Sequence, residues 1–453
     1  MSDSAPRVWD GDAPTPLPLW YARRRASYLE GNEVELLRGG QELFPAMRRA
    51  IDSARYEVML ATYLFHSDAQ SEQLALALAQ AARRGVRVRV VVDGFGSIHG
   101  LAALSRWWKE EGVAWSIYRP MDRWWTWFQP EHLRRLHQKL CVVDAELAFI
   151  GGINIIDDRL DIHHGWMSQP RLDFAVQVRG PVVEPMVQTV RAMWTRATFG
   201  ADWRDELQSL MSGRRKIRRA RALLERMRLP RGKARSSEGS PSEFPTASAS
   251  ASASDSEATR PHSVQAAFLL RDNLRQRHSI EAALLEAFAG ARHSIDLACP
   301  YFYPGVALRR ALSAAASRGV RVRLLLQGQV DYRIAAVAAR LVYRELLGSG
   351  VQIFEYLPAF LHAKVARVDD HWATVGSSNL DPLSMLVNFE ANLAVRDGPF
   401  VKELAQALEE AFAHSREITA PPRLSTWSRA LQSTFVATLA RLYLRMAGVS
   451  RPY

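Results

Sequence analysis

The chain has 453 residues, 48% of them hydrophobic, which is enough for two domains or one two-lobed unit with a large core. Its 59 Lys and Arg residues outnumber 47 Asp and Glu, and the net charge of +12 favours polyanions: nucleic acid, anionic lipid or phosphorylated ligands. Two cysteines, Cys141 and Cys299, argue against a disulfide scaffold and a cysteine-based zinc site; both stand in apolar runs and read as small packed side chains in a reducing compartment.

In chain order, residues 1–30 form a Pro-rich, irregular arm with no signal-peptide core. Residues 31–200 read as a first α/β lobe. Within it, SARYEVMLATYLF (Ser53–Phe65) looks like a helix end followed by a strand, and RRGVRVRVVVDG (Arg83–Gly94) like a helix end, a Gly cap and a buried strand. GVAWSIYRP (Gly112–Pro120) adds another strand. Residues 201–263 combine a basic, helical-looking run (Ser212–Arg235) with a Ser/Ala/Pro linker that cannot bury a core. Residues 264–420 then repeat the first lobe: GARHSIDLACPYF (Gly290–Phe302), SRGVRVRLLLQG (Ser317–Gly328) and GVQIFEYLP (Gly350–Pro358) match the earlier blocks in order and spacing. A duplicated α/β lobe follows, each a mixed β-sheet covered by helices.

Each lobe also carries one sparse motif. LHQKLCVVD (Leu136–Asp144) and LHAKVARVD (Leu361–Asp369) share His-x-Lys, four residues, then Asp, and each is followed by a Gly-rich turn with an Asn, GGIN (Gly151–Asn154) or GSSN (Gly376–Asn379). Read as a strand, the segment puts His137 and Lys139 on one face, as it does His362 and Lys364. The glycines suit a tight turn with close backbone approach. Two facing halves would offer two imidazoles, two ammonium groups and the amides of Asn154 and Asn379. That set suits a phosphoryl group: Lys139, Lys364 and the asparagines bind its oxygens, one His attacks phosphorus, and the other acts as acid and base. No cofactor or metal is required by this scheme, because the cations are built in. Asp173 (in RLDFAVQVRGP) and Glu390 (in NFEANLAVRDGP) are candidates to hold the other nitrogen of each His. Asp144 and Asp369 end their strands and read as turn or ion-pair residues. His163 and His164 read as a loop pair near the site, with a metal pair as the alternative.

The paired stretches HQKLCVVDAELAFIGGIN and HAKVARVDDHWATVGSSN resemble the paired HKD motifs of the phospholipase D superfamily, and DGFGS (Asp93–Ser97), CPYFYP (Cys299–Pro304) and VGSSNLDPLSMLVNFEANL (Val375–Leu393) resemble bacterial cardiolipin synthases of the B type. The resemblance runs from Val34 to Ala413 with the linker excluded. It implies two phospholipase D-like lobes with the active site between them. It also implies transfer of a phosphatidyl group from one phosphatidylglycerol to another through a phosphohistidine, at a cell inner membrane, peripheral on the cytoplasmic side. It counts His137, Lys139, Asp144, His362, Lys364 and Asp369 as the catalytic motif residues, with His137 as nucleophile and His362 as acid and base. Hydrolysis by water and nucleic-acid phosphodiester cleavage are the alternative activities. No nucleic acid and no partner protein are expected.

No apolar run is long enough to span a bilayer, so contact with an anionic membrane surface is expected to be peripheral. WWTWFQPEHLRRLHQK (Trp124–Lys139) sets aromatics beside basic residues. The tail, residues 421–453, places Trp427, Leu431, Phe435, Leu439, Leu442 and Met446 on one helical stripe with Arg429, Arg441 and Arg445 off it. Core packing and docking on the protein are the alternatives for these two segments.

Overall fold

The computed structural model describes Tyr21 and residues 25–109, 111–120, 134–199, 263–329 and 333–420. The Pro-rich arm up to residue 20, the aromatic stretch up to residue 133, the basic run, the linker up to residue 262 and the tail past residue 420 lie outside the described residues.

The first lobe runs β1 (Leu29–Arg38), α1 (Gly39–Ser53), β2 (Glu57–Thr62), α2 (Ala69–Arg83), β3 (Arg87–Asp93), α3 (Leu101–Trp108), β4 (Ala114–Tyr118), β5 (Leu140–Val143), β6 (Leu147–Gly151), a small hairpin of β7 (Leu160–Asp161) and β8 (Gly165–Trp166), β9 (Phe174–Arg179) and α4 (Val183–Phe199). The second runs β10 (Val264–Arg271), α5 (Ser279–Gly290), β11 (Ser294–Cys299), α6 (Val306–Ser317), β12 (Arg321–Gln327), α7 (Arg333–Gly348), β13 (Gln352–Tyr356), β14 (Val365–Val368), β15 (Trp372–Gly376), α8 (Pro382–Leu386), β16 (Glu390–Arg396), α9 (Gly398–Ala413) and β17 (Ser415–Glu417).

Both lobes join one 15-stranded sheet, ordered β17-β13-β12-β11-β14-β15-β16-β10-β1-β9-β6-β5-β2-β3-β4. Outward from the antiparallel β1–β10 pair, the order is the same in each direction, with β17 added at one end. The duplication seen in the sequence is thus a repeat of topology. Strands β2 and β11 are buried along their whole length, which explains their near-continuous apolar text. Gly85 and Gly319 follow α2 and α6 with φ of 90° and 88°, the left-handed conformation expected of those caps.

One hydrophobic core is shared between the lobes: Val176 and Val178 of β9 and Met186 of α4 join Leu393 and Val395 of β16 and Leu404 of α9. Two further cores lie beneath α1–α3 and beneath α5–α7. In the first lobe β2, β3 and β4 run parallel, while β5 runs against β2 and β9 against β6. The C-terminal ends of β2, β3, β4 and β6 therefore gather beside the N-terminal ends of β5 and β9. The second lobe repeats this with β11, β12, β13 and β15 beside β14 and β16.

Candidate active site

The motif strands are shorter than the sequence pattern suggests. Regular pairing begins only at Leu140 and Val365, so His137, Lys139, His362 and Lys364 stand just ahead of β5 and β14. The physical reason is that these segments turn their backbone to the other lobe. His137 N donates to Phe389 O at 3.0 Å and Phe389 N to Arg135 O at 2.8 Å. Symmetrically, His362 N donates to Leu172 O at 2.8 Å and Leu172 N to Phe360 O at 3.0 Å. Residue 389 precedes Glu390, and residue 172 precedes Asp173. Each backbone bridge therefore delivers a carboxylate from one lobe to the imidazole of the other.

The carboxylates cross. His137 Nδ1 lies 2.9 Å and 3.0 Å from the two Glu390 oxygens, and His362 Nδ1 lies 2.6 Å from Asp173 Oδ2. With both Nδ1 atoms held, Nε2 is the nitrogen left on each ring for chemistry. Beside them, Lys139 Nζ donates to His137 O at 2.7 Å, and Lys364 Nζ donates to His362 O. All four side chains are largely buried. Asn154 Oδ1 and Asn379 Oδ1 are buried without a hydrogen-bond partner, so each is left with acceptor capacity that a polar ligand could use. The structure thus brings His137, Lys139, His362, Lys364, Asp173 and Glu390 together, with each asparagine following its Gly-rich stretch.

Those glycines serve close approach. None of Gly151, Gly152 and Gly376 has a positive φ, contrary to a tight-turn reading. Instead, a Cβ on Gly152 would sit 2.3 Å from Asp173 Oδ1, and one on Gly376 would sit 2.2 Å from Asn392 Cγ. Ser377 stands where the first lobe has Gly152, and its hydroxyl donates to Glu390 Oε2 at 2.6 Å. The two half-sites therefore differ: Glu390 accepts a serine hydroxyl, whereas Asp173 Oδ1 accepts the backbone N–H of Phe174 at 2.8 Å.

Charge separates them further. Burial opposes ionisation of Glu390, yet His137, Lys139 and Ser377 together hold its carboxyl below the usual range. Burial also lowers His137, so this pair rests as a carboxylate and a neutral ring. Burial pushes Asp173 up to about 7. Burial, then Lys364 and Arg171, hold His362 well below its ordinary value. Lys139 is lowered to about 7 and Lys364 to about 8, first by burial and, for Lys139, next by the neighbouring Lys364. An anion entering this pocket would restore those charges.

The motif aspartates lie elsewhere. Asp144 accepts the backbone N–H groups of Arg55, Tyr56 and Glu57, each at 2.8 Å. Asp369 accepts those of Arg292, His293 and Ser294, at 2.8–2.9 Å. Both have positive φ, 52° and 49°, at the turn ending their strands. Asp161 accepts from His163 N, His164 N and His164 Nδ1, and the His164 ring lies 5.2 Å from that of Phe360. These two histidines cap the β7–β8 hairpin. Both cysteines are buried and free.

Three further residues near the motifs are not singled out individually by the sequence. Asp93 Oδ2 accepts Leu136 N at 2.9 Å, and Gln327 Oε1 accepts Leu361 N at 2.7 Å. They occupy equivalent strand ends and fix the residue before each His. Tyr63 sets its ring 5.0 Å from that of His137 and 5.5 Å from Lys139 Nζ. Only the position of Asp93 within DGFGS hinted at importance.

Residues 47–167 and 284–414 match the family described as cardiolipin synthase, PLD-like domain, which covers more than half of the chain. The chain belongs to this family. Within it, cardiolipin synthase B of Escherichia coli is 34% identical over 391 residues, covering 86% of this chain and 82% of its own length. Cardiolipin synthase A of Pseudomonas putida is 32% identical over 397 residues, 87% of this chain and 72% of its own. Among solved structures, phosphatidylserine synthase of Haemophilus influenzae superposes with a TM-score of 0.60 at 13% identity, covering 94% of this chain and 98% of its own, a likeness of fold alone. The two family segments fall one in each lobe, so the duplicated phospholipase D-like fold holds for the whole described chain.

Proposed function

We infer that the protein is a cardiolipin synthase, a phosphatidyltransferase that joins two phosphatidylglycerols and releases glycerol. Family membership supports the reaction, and the crossed His–carboxylate pairs support its chemistry. Glu390 keeps the proton on His137 Nδ1 and leaves a lone pair on Nε2. His137 Nε2 attacks phosphorus, and the bond from phosphorus to the departing glycerol oxygen breaks. His362 Nε2 gives its proton to that oxygen. The phosphodiester's negative charge offsets Lys364 and Arg171, which favours the protonated His362 this step needs. The headgroup hydroxyl of a second phosphatidylglycerol then loses its proton to His362 and attacks phosphorus, and the P–N bond to His137 breaks. Lys139, Lys364, Asn154 and Asn379 bind the non-bridging oxygens. Asp144 and Asp369 act one step back, holding the backbone that carries each motif.

The substrate places the enzyme at a phospholipid surface. No helix of the described residues is long and apolar enough to cross a membrane. The net charge of +12 supports peripheral attachment to anionic lipid, on the cytoplasmic side of the inner membrane. The test is incubation of purified protein with phosphatidylglycerol vesicles in chelator, with His137→Ala as control. The reading expects cardiolipin and glycerol from the wild type alone. Phosphatidic acid in their place would make water the acceptor and overturn the transferase assignment.

A further inference from the structure

Among the described residues, ten large hydrophobic side chains are exposed, and their distribution is uneven. Phe95 and Ile98 lie between β3 and α3, Ile162 and Trp166 on the β7–β8 hairpin, Leu357 just past β13 and Leu383 in the short helix α8 between β15 and β16. Leu274 follows β10, and Val306 opens α6 after β11. All eight therefore sit on connections that leave the strand ends bearing the His, Lys and carboxylate groups. Tyr56, before β2, and Leu76, midway along α2, are the two exceptions. Trp166 is 69% exposed, a large apolar surface to leave in water.

The charges on the same connections are sorted. In residues 94–100, 152–173, 272–278, 300–305, 357–364 and 377–389 no carboxylate is exposed, whereas Arg159, Arg275 and Arg277 are. The carboxylates turn inward onto backbone donors: Asp158 accepts from Gly40 N, Asp161 from the hairpin amides, Asp272 from Leu274 N and Gln276 N, and Asp381 from Leu383 N and Ser384 N. The hairpin stands over the second half-site, since His164 packs on Phe360, two residues before His362.

We propose that this rim docks on an anionic phospholipid bilayer, with Trp166, Ile98 and their neighbours entering the interface and the cleft facing the lipid. Exposed apolar groups mixed with outward cations and withdrawn carboxylates match an anionic bilayer better than a neutral or cationic surface. The inference rests on the phospholipid reading above and adds the face that meets the membrane.

The test uses the full chain. Cys141 and Cys299 are buried, and burial pushes both thiols up to about 12, so an introduced cysteine can be labelled selectively with a polarity-sensitive dye. Dye at Trp166→Cys and Ile98→Cys should shift to the blue on phosphatidylglycerol vesicles, less on phosphatidylcholine vesicles, and dye at Tyr56→Cys should not shift. Absence of vesicle binding, bound protein with no shift at 98 and 166, or an equal shift at 56 would each overturn the proposal. In a second arm, Trp166→Gln with Ile98→Gln should cut turnover on vesicles about ten- to a hundredfold, as expected when two exposed apolar groups are only partly withdrawn from water on docking. Turnover of monomerically dispersed short-chain phosphatidylglycerol should stay unchanged; equal loss on both would assign the pair to the fold or the site. If the wild type makes no cardiolipin even from dispersed lipid, the functional reading fails, while the dye shifts still decide the docking face.

Discussion

Glu390→Gln tests the crossed pairing at the least structural cost. The residue is fully buried, and the amide has the same shape as the carboxylate, so Ser377 keeps an acceptor and packing is retained. What changes is the bond to His137, now 2.9 Å and 3.0 Å to a charged acceptor. A hydrogen bond to a charged partner is worth about 1.5–3 kcal/mol, which alone predicts a loss of about 10- to 150-fold. The amide can also donate to Nδ1, which would move the ring proton to Nε2 and remove the nucleophile's lone pair. A wrong-tautomer effect of that kind can reach about 10⁴-fold, as it does in the serine-protease triad. Single-turnover assays on phosphatidylglycerol should therefore show glycerol release slowed by about 10²–10⁴-fold, with a thermal unfolding midpoint near that of the wild type. Asp173→Asn should slow the same release through His362, and more steeply for poor leaving groups. A Glu390→Gln enzyme that releases glycerol at the wild-type rate would refute the role given to this pair.

Other outcomes follow from the same geometry. Asp369→Ala should lower stability by about 2–4 kcal/mol, because three amides lose a charged acceptor in a buried turn, and Asp144→Ala by less, because its amide partners Arg55 and Tyr56 are exposed to water; a stable but inactive Asp369→Ala would instead place the carboxylate in the chemistry. Gly152→Ala should push Asp173 away from His362 and cost about 100-fold in kcat without unfolding the chain, which circular dichroism and turnover together would check. In pH profiles, Lys139 near 7 and Lys364 near 8 carry charge below those values and lose it above them. Consequently kcat/KM should fall from about pH 7 upward, while kcat, measured with the phosphate bound and the lysine values raised, should hold to higher pH.

Much of this arrangement was legible in the sequence because it is repeated. Two copies of a sparse motif, each preceded by matched strand text, defined the lobes and singled out His137, Lys139, His362 and Lys364. Asp173 and Glu390 stood out for their position at the start of the next strand. Which His each would hold was not legible, because the answer lies in backbone bridges between residues more than 180 positions apart, such as Leu172 with Leu361 and Leu136 with Phe389. The same bridges explain why the motif strands start at Leu140 and Val365, since a backbone already paired to the other lobe cannot extend its own ladder. Asp93 and Gln327 escaped notice for a related reason. They do equivalent work with different side chains, so the repeat hides them. Gly152 and Ser377 likewise differ because a carboxylate fills the space beside one and accepts a hydrogen bond from the other.

The central claim is that His137, held by Glu390, carries the phosphatidyl group between donor and acceptor. It is tested most directly by rapid quenching of the enzyme with phosphatidylglycerol radiolabelled at phosphorus, followed by peptide mapping under alkaline conditions that preserve phosphohistidine. The account predicts an acid-labile label on His137 that appears with glycerol release, decays as cardiolipin forms, and is absent from His137→Ala. Label found on His362 instead, or cardiolipin formed with no labelled protein at any time, would contradict it.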